Sequence, residues 1–335
     1  MARTRLILLP ALAFASITAG LGSSATAAPP TAIRHQDEAS LLFLQQLDQR
    51  IADIAWRLGT SNADFCPQRV LSIGLSAHNA VQYAPAYRLS AISAFGFGDG
   101  LPAVLAVMKD GPAARAGILP GDRIVAIDGQ PVIPERPLAR SKEDYGPINA
   151  IMSQLENLPD RKVVLDILRE QKPLRMEVAP VTICQSRVEI VPGGQMNANA
   201  NGVVVQIYGK LVLWARNDDE LAILIGHEMA HNILNHNRRI HSEGLEQGLS
   251  EALGLGSRKL RDLEREADRY GLYLTARAGY DFAQAPVFWR RLSAASGLGN
   301  VWATTHPTGA HRAKFNQAVV NEIRLKAAAG GALKP

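Results

Sequence analysis

A five-residue pattern in the second half of the chain constrains its folding more than any other feature. His227-Glu228-Met229-Ala230-His231 places two imidazoles four residues apart, with a carboxylate beside the first. On an α-helix, positions i and i+4 share one face, so both rings can reach a single ion. The apolar run Leu221–Gly226 just before the pattern favours a buried helix. The pattern therefore predicts a metal-binding helix in which Glu228 addresses a metal-bound water.

A catalytic zinc site needs a third protein ligand and one open position. Spacing alone leaves four candidates for that ligand: His236, His241, Glu264 and Glu266. The three-histidine arrangement, which needs Gly three residues and His six residues after the second motif His, is excluded because Leu234 and Asn237 stand there. Glu264 is favoured, since a carboxylate from a following helix completes a two-His, one-Glu set. Asp268, one turn later, can then orient a ligand His through its ring N–H.

Together the two motifs resemble the zinc metallopeptidases of the HtpX and CAAX prenyl protease type, peptidase family M48. Asn197–Gly202 before a strand, and His306-Pro307 with Arg312 after it, also match, so the resemblance covers roughly residues 185–325. It implies a gluzincin with one zinc ion per chain, held by His227, His231 and Glu264. Glu266 remains the alternative ligand, as a solvated helix charge otherwise.

The same resemblance implies a mechanism. Glu228 would act as general base toward a zinc-activated water. His306 is a second catalytic candidate, as an oxyanion donor or a removable extra ligand; the alternative is a loop histidine fixed by Pro307. The strand predicted at Val203–Tyr208 would align a polypeptide substrate as an added strand.

The N-terminus has the order of a secretory signal. Arg3 and Arg5 precede an apolar stretch, and small residues around Ala27 provide a cleavage site. We expect a signal peptide over residues 1–27 and an exported, periplasmic chain without a membrane span after signal removal. An uncleaved anchor helix, which would leave the chain membrane-associated, is the alternative. HtpX and the prenyl proteases span membranes several times, so this chain resembles a soluble envelope branch.

The two cysteines, Cys66 and Cys184, suggest one disulfide in an exported chain. Such a bond would pin both ends of the segment between them. Two unpaired small apolar residues are the other interpretation.

That segment has its own pattern of short strands and turns. Gly111–Gly129, with the sequence GPAARAGILPGDRIVAIDG, resembles a PDZ domain of bacterial envelope proteases. Ala94-Phe95-Gly96-Phe97 resembles the carboxylate-binding loop, so Phe95, Gly96 and Phe97 are predicted to capture C-terminal peptides. A PDZ fold without a working groove, used as a spacer, is the alternative.

We therefore expect an α+β protein: a mainly helical zincin-type domain with a small sheet, and an inserted β-rich PDZ-like domain. The expected boundaries are 1–27 for the signal, 28–90 for an N-terminal helical segment, 91–180 for the PDZ-like domain and 181–335 for the peptidase domain.

Charge excludes one class of partner. The net charge of 36 − 31 = +5 comes with no basic run or helix, which speaks against nucleic acid. The expected function is a zinc endopeptidase acting on unfolded or misassembled envelope proteins. The alternative is a non-catalytic, zinc-stabilised chaperone or adaptor that binds peptides. The intact Glu228 argues against it, because a structural zinc site needs no base.

Overall fold

The computed structural model describes residues 30–64, 66–139, 141–185, 187–243, 255–296 and 309–335. The predicted signal segment 1–27 and His306 lie outside these residues. Across the described ranges, no helix combines the length and the apolar character needed to cross a membrane.

The structure describes ten α-helices. They are α1 (Pro30–Ser61), α2 (Pro85–Phe95), α3 (Pro112–Arg115), α4 (Gly146–Glu156), α5 (Gly209–Trp214), α6 (Asp218–Ile233), α7 (His236–Ser242), α8 (Leu255–Arg277), α9 (Ala285–Ser296) and α10 (Gly309–Ala328). Those of the larger helical unit are α1 and α5 to α10. Helix α6 begins after Asn217, whose side chain accepts a hydrogen bond from the Glu220 amide and so caps the helix.

The strands form three separate sheets. They are β1 (Arg69–Ser72), β2 (Leu75–His78), β3 (Ala103–Val107), β4 (Arg123–Ile127), β5 (Gln130–Pro131), β6 (Val163–Arg169), β7 (Lys172–Val178), β8 (Val181–Cys184), β9 (Arg187–Val191), β10 (Ala198–Ala200) and β11 (Val204–Tyr208). The largest sheet has the order β2-β3-β4-β6-β7, with β5 on β4; a second has the order β10-β11-β9; β1 and β8 form a two-stranded ribbon.

The ribbon marks where one unit is inserted into the other. Strands β1 and β8 run antiparallel, with Arg69 opposite Cys184 and Ser72 opposite Val181. The chain therefore enters and leaves the six-stranded sheet side by side. A disulfide joins Cys66 to Cys184 at this point, with Cα atoms 5.5 Å apart. Both cysteines are buried in the helical core.

Each unit has its own hydrophobic core. One core joins α1, α5, α6, α8, α9 and α10 to the β9–β11 sheet, and the other fills the space between the six-stranded sheet and α4. The structure confirms the predicted α+β class. The six-stranded sheet starts at Leu75, before the expected domain boundary at residue 91. The boundary stays a proposal, and we propose that the PDZ-like domain includes β2.

Helix α1 also ties the two units together. Gln45, Gln49 and Asp53 lie one turn apart on one face, and each hydrogen-bonds backbone groups of or just after β3. The Gln49 side chain both donates to the Val107 carbonyl, at 2.8 Å, and accepts from the Val107 amide, at 3.0 Å. On the other unit, Asp48 accepts a hydrogen bond from the Ile190 amide of β9 at 3.1 Å.

Candidate active site

Two glycines bring the helices of the candidate site into backbone contact. A Cβ atom built on Gly226 of α6 would lie 2.9 Å from the Gly271 carbonyl oxygen, and one built on Gly271 of α8 would lie 2.7 Å from the His227 amide nitrogen. No larger side chain fits at either position without moving a backbone. Because α6 carries the histidines and α8 carries Glu264, this close crossing determines how near the carboxylate comes to the rings.

The crossing gathers three side chains. Nε2 of His227 and Nε2 of His231 lie 3.2 Å apart. Glu264 places Oε2 3.5 Å from Nε2 of His227 and Oε1 3.4 Å from Nε2 of His231. Within the described part of the chain, these three residues form a cluster of His and acidic side chains able to hold a metal ion.

The donor atoms fit zinc. Four ligands in a tetrahedron at about 2.1 Å from an ion are about 3.4 Å from one another. The two ring nitrogens are 3.2 Å apart, and each lies 3.4 or 3.5 Å from one of the two Glu264 oxygens, which is close to that edge length. Two imidazoles and one carboxylate are also the donor set of catalytic rather than structural zinc sites, because they leave one position open. Glu228, next to the first ligand, is 2% exposed.

His227 is oriented from behind by a buried ion pair. Its Nδ1 lies 3.0 Å from Oδ1 of Asp268. Arg312 of α10 donates to both oxygens of Asp268, at 2.6 and 2.9 Å, and Asn316 adds a bond at 3.1 Å. The guanidinium of Arg312 lies 3.3 Å above the ring of Trp289. Burial alone would raise the pKa of Asp268, but Arg312 and His227 outweigh it and keep the pKa below its usual range.

His231 has a different support. Nδ1 of His236, the first residue of α7, lies 3.0 Å from Nδ1 of His231. On its far side, Nε2 of His236 lies 3.3 Å from Oε2 of Glu266. Burial lowers the pKa of His236 to about 4, with Glu266 opposing the shift, so its ring is neutral at neutral pH. Neither His236 nor Glu266 points into the cluster.

A free strand edge lies near the cluster, and it is not the one that the sequence suggested. Strand β11, within the predicted Val203–Tyr208, is paired with β10 on one side and β9 on the other, so it cannot accept an added strand. The outer strands are β10 and β9; Asp48 of α1 already accepts a hydrogen bond from the Ile190 amide of β9, whereas β10 lies beside α6. The turn after β10 is fixed to the metal-site helices: Asn232 accepts from the Gly202 amide at 2.6 Å, and Asn237 donates to the Asn201 carbonyl at 2.9 Å.

The predicted peptide-binding residues lie elsewhere than expected. Phe97 is 1% exposed and packs with Phe95 and His78. The Gly96 carbonyl accepts a hydrogen bond from buried Arg123. The strand that follows, β3, has partners on both sides. The assignment of Phe95, Gly96 and Phe97 to a carboxylate-binding loop therefore conflicts with the structure, because these residues adjoin no free strand edge.

Comparison with known proteins points to the same two modules. Residues 182–256 match the model of peptidase family M48, and residues 104–146 match a PDZ domain. The mitochondrial metalloendopeptidase OMA1 of Arabidopsis thaliana is 32% identical over 135 residues, which cover 32% of this chain and 27% of the relative. The matched residues support an M48 peptidase region and a PDZ domain in this chain.

The solved structures add little. Two structures of the HtrA-type protease AlgW with a decapeptide, one of them of a variant, are 23% and 24% identical. The matches cover 34% and 36% of this chain and 30% and 32% of those chains. Both have a TM-score of 0.25, which is too low to support a conclusion on fold or function.

The family matches and the geometry overlap only in part. His227, Glu228 and His231 lie inside the M48 match, whereas Glu264 and Asp268 lie beyond residue 256. Their place in the site therefore rests on the distances above. The match to the PDZ model likewise starts inside β3, which leaves β2 and α4 outside it.

The described six-stranded sheet has two end strands, β7 and β2, and α4 lies beside β2. This strand ends the six-stranded sheet, and a cavity of about 60 Å³ lies beside it. Leu75 and Ser76 of β2, Met152 and Leu155 of α4, and Trp56 of α1 help to line the cavity. The sequence carries a signal for this edge: Ile73-Gly74 directly precedes the strand, and Gly74 has a φ of +74°. Gly74 also packs against Trp56 of the M48 domain.

Proposed function

We propose that the chain is an exported zinc endopeptidase of envelope proteins, with His227, His231 and Glu264 as ligands and Glu228 as general base. The observation that carries the proposal is the convergence of two imidazoles and one carboxylate, His227, His231 and Glu264, with the buried carboxylate of Glu228 directly after His227 in the sequence. The chain spans 27% of the curated relative's length, so the activity of the whole protein is part of the proposal.

Zinc bound to these ligands supplies a Lewis acid for the scissile carbonyl and lowers the pKa of a bound water to about 7. The side chains do the rest. Glu228 accepts the proton of the attacking water and returns it to the leaving amine. Asp268 and Arg312 hold the ring of His227 in one orientation, so that Nε2 stays directed at the cluster. His306 remains our candidate for a second oxyanion donor.

Substrate alignment falls to β10 in this proposal. Its outer edge offers backbone N–H and C=O groups that an extended polypeptide can pair with. Pairing through the backbone selects for extended chains rather than for particular side chains. That preference favours unfolded or misassembled proteins as substrates.

The PDZ domain would collect those substrates. An extended C-terminal segment can add to the free edge of β2, with α4 forming the opposite wall. The export step rests on the predicted signal over residues 1–27. Expression in a bacterial host, followed by N-terminal sequencing of the periplasmic fraction, tests it; a chain that begins at Ala28 is expected.

Hydrolysis of unfolded casein by the purified chain tests the activity. In Glu228→Gln we expect the rate to fall about 10³-fold or more, because the general base is lost, while zinc binding persists. Glu243→Gln is the matched control, because Glu243 is an exposed carboxylate that pairs with Lys259. This variant should keep the wild-type rate. A chelator should abolish the wild-type rate, and added zinc should restore it.

Two outcomes would reject the proposal. Full activity in Glu228→Gln would show that the hydrolysis does not use this base. A wild-type chain that binds zinc and peptides but hydrolyses none of several unfolded proteins would favour the alternative function, a non-catalytic adaptor.

A further inference from the structure

The turn between α6 and α7 places a histidine behind the second metal ligand. Asn235 adopts the left-handed conformation, with a φ of 55°, and this reverses the chain direction after α6. His236 consequently returns beneath His231, with ring centroids 4.9 Å apart and an interplanar angle of 85°. His236 is 0% exposed, so its ring is held in one place by its surroundings.

Counting protons fixes the state of both rings. Nε2 of His231 faces the cluster, at 3.4 Å from Oε1 of Glu264, so a bound His231 carries its proton on Nδ1. His236 offers an acceptor for that proton, because its Nδ1 lies 3.0 Å away and as an acceptor carries no proton. The remaining proton of His236 is then on Nε2, which is within ion-pair distance of Glu266, 3.3 Å from Oε2, but does not meet hydrogen-bond geometry with it.

Glu266 is itself held in place. Arg239 donates from Nη1 to the same oxygen, Oε2, at 2.8 Å. The side chain of Glu266 is nevertheless 43% exposed, unlike Asp268, whose side chain is 2% exposed. His227 is thus supported by a buried carboxylate directly, whereas His231 reaches a carboxylate near the surface only through a second imidazole.

We propose that His236 and Glu266 are positioning residues for zinc, acting as a relay through His231. The relay fixes the tautomer and orientation of His231 and increases the basicity of its Nε2, as carboxylates behind metal-bound histidines do. It also assigns a role to two of the three residues that spacing alone left as rivals of Glu264, namely His236 and Glu266. The inference rests on the proposed zinc site and adds to it.

The decisive variant is Glu266→Ala, because Glu266 lies near the surface and its loss leaves the core intact. We expect zinc affinity, measured by competition with a chromogenic chelator, to fall by about tenfold. Glu266→Gln, which keeps an acceptor but removes the charge, should lie between Glu266→Ala and wild type. Cobalt(II) should bind both variants with an altered visible absorption spectrum, a change that loss of a merely structural contact would not cause.

Glu243→Ala is the matched control. Glu243 is similarly exposed, at 41%, and pairs with Lys259 at 2.9 Å, as Glu266 pairs with Arg239 at 2.8 Å. It should leave zinc affinity and the cobalt spectrum unchanged. His236→Ala should weaken zinc binding by about tenfold or more, and His236→Gln, which restores an acceptor, should recover part of it.

Each result has a separate meaning. Zinc affinity within about twofold of wild type in Glu266→Ala would overturn the relay. Loss of all stoichiometric zinc in Glu266→Ala would also overturn it, because Glu266 would then be a ligand. Absence of zinc from the wild-type chain would reject the proposed function itself, which distinguishes the two failures.

Discussion

The two units of the chain are packed differently. The M48 unit is the helical core with the β9–β11 sheet, and the PDZ unit is the six-stranded sheet with α4. In the M48 unit, α6 and α8 touch at their backbones through Gly226 and Gly271, and the site behind them is filled by buried ion pairs. In the PDZ unit, β2 pairs with β3 on one side and ends the described sheet on the other, where it lies beside a cavity. A metal site needs ligands held to a fraction of an ångström, whereas a peptide groove needs backbone groups left for a partner.

The units also differ in how they are held to each other. The disulfide and the β1–β8 ribbon join them covalently and by backbone pairing. The side chains of α1 add hydrogen bonds to β3. The two units also meet at the cavity beside β2, because Trp56 of α1 lines that cavity together with Leu75 and Met152.

Removal of the disulfide should have the largest effect on stability. The bond closes a loop between cysteines 118 positions apart, so loop entropy predicts a loss of about 5 kcal/mol in Cys66→Ala/Cys184→Ala. Chemical denaturation in the absence of reductant measures it. Reductant should destabilise the wild type and leave the variant unaffected. A loss below about 1 kcal/mol would mean that the ribbon alone holds the units together.

Adding one methyl group to a glycine tests the contrast in packing density. Gly271→Ala should cost about 3 kcal/mol and weaken zinc binding, because its Cβ meets the α6 backbone at 2.7 Å. Gly98→Ala in the PDZ unit has nothing within 4 Å and should change stability by less than about 0.5 kcal/mol. Equal effects at the two sites would remove the contrast.

The last prediction concerns how the stability of the contact between α1 and β9 depends on pH. Burial and the charge of Glu189 raise the pKa of Asp48 to about 7, although the hydrogen bond from Ile190 opposes them. The ordinary pKa is 3.8, so between the two values the folded state binds the additional proton. This contribution to stability is therefore complete below pH 3.8 and is lost as pH rises through 7. Asp48→Asn should flatten the dependence of Tm on pH between 4 and 7.

Asp53→Asn is the control for that measurement. Asp53 lies on the same helix and accepts a hydrogen bond from the Lys109 amide of the PDZ unit at 2.6 Å. It should retain the wild-type pH dependence. A flat profile in the wild type would contradict the role given to Asp48.

Local sequence pattern predicts several features of this structure. The spacing of His227 and His231 needs only a helix, and the structure provides it. The runs Val163–Leu168 and Leu174–Val178 predict a hairpin around Glu170, Gln171 and Lys172, and in the structure Glu170 and Gln171 form the two-residue turn from β6 to β7. The cluster of His227, His231 and Glu264 agrees with the ligand set that the resemblance implied.

Features that depend on distant parts of the chain were not predictable from local pattern. Which strand of a sheet is outermost follows from pairing order, which local pattern does not show; the predicted substrate-aligning strand Val203–Tyr208 is flanked by β10 and β9. The close contact of Gly226 with Gly271 joins residues on two helices. The position of His236 behind His231 depends on one left-handed residue, Asn235, which the spacing does not reveal.

The central claim is that the crossing of α6 and α8 makes Glu264 the third ligand of a zinc site. The zinc content per chain, measured in parallel for wild type, Glu264→Gln and Glu266→Gln after dialysis, tests it directly. The account predicts one zinc ion in wild type and in Glu266→Gln, and almost none in Glu264→Gln. Retention of one zinc ion by Glu264→Gln would contradict it.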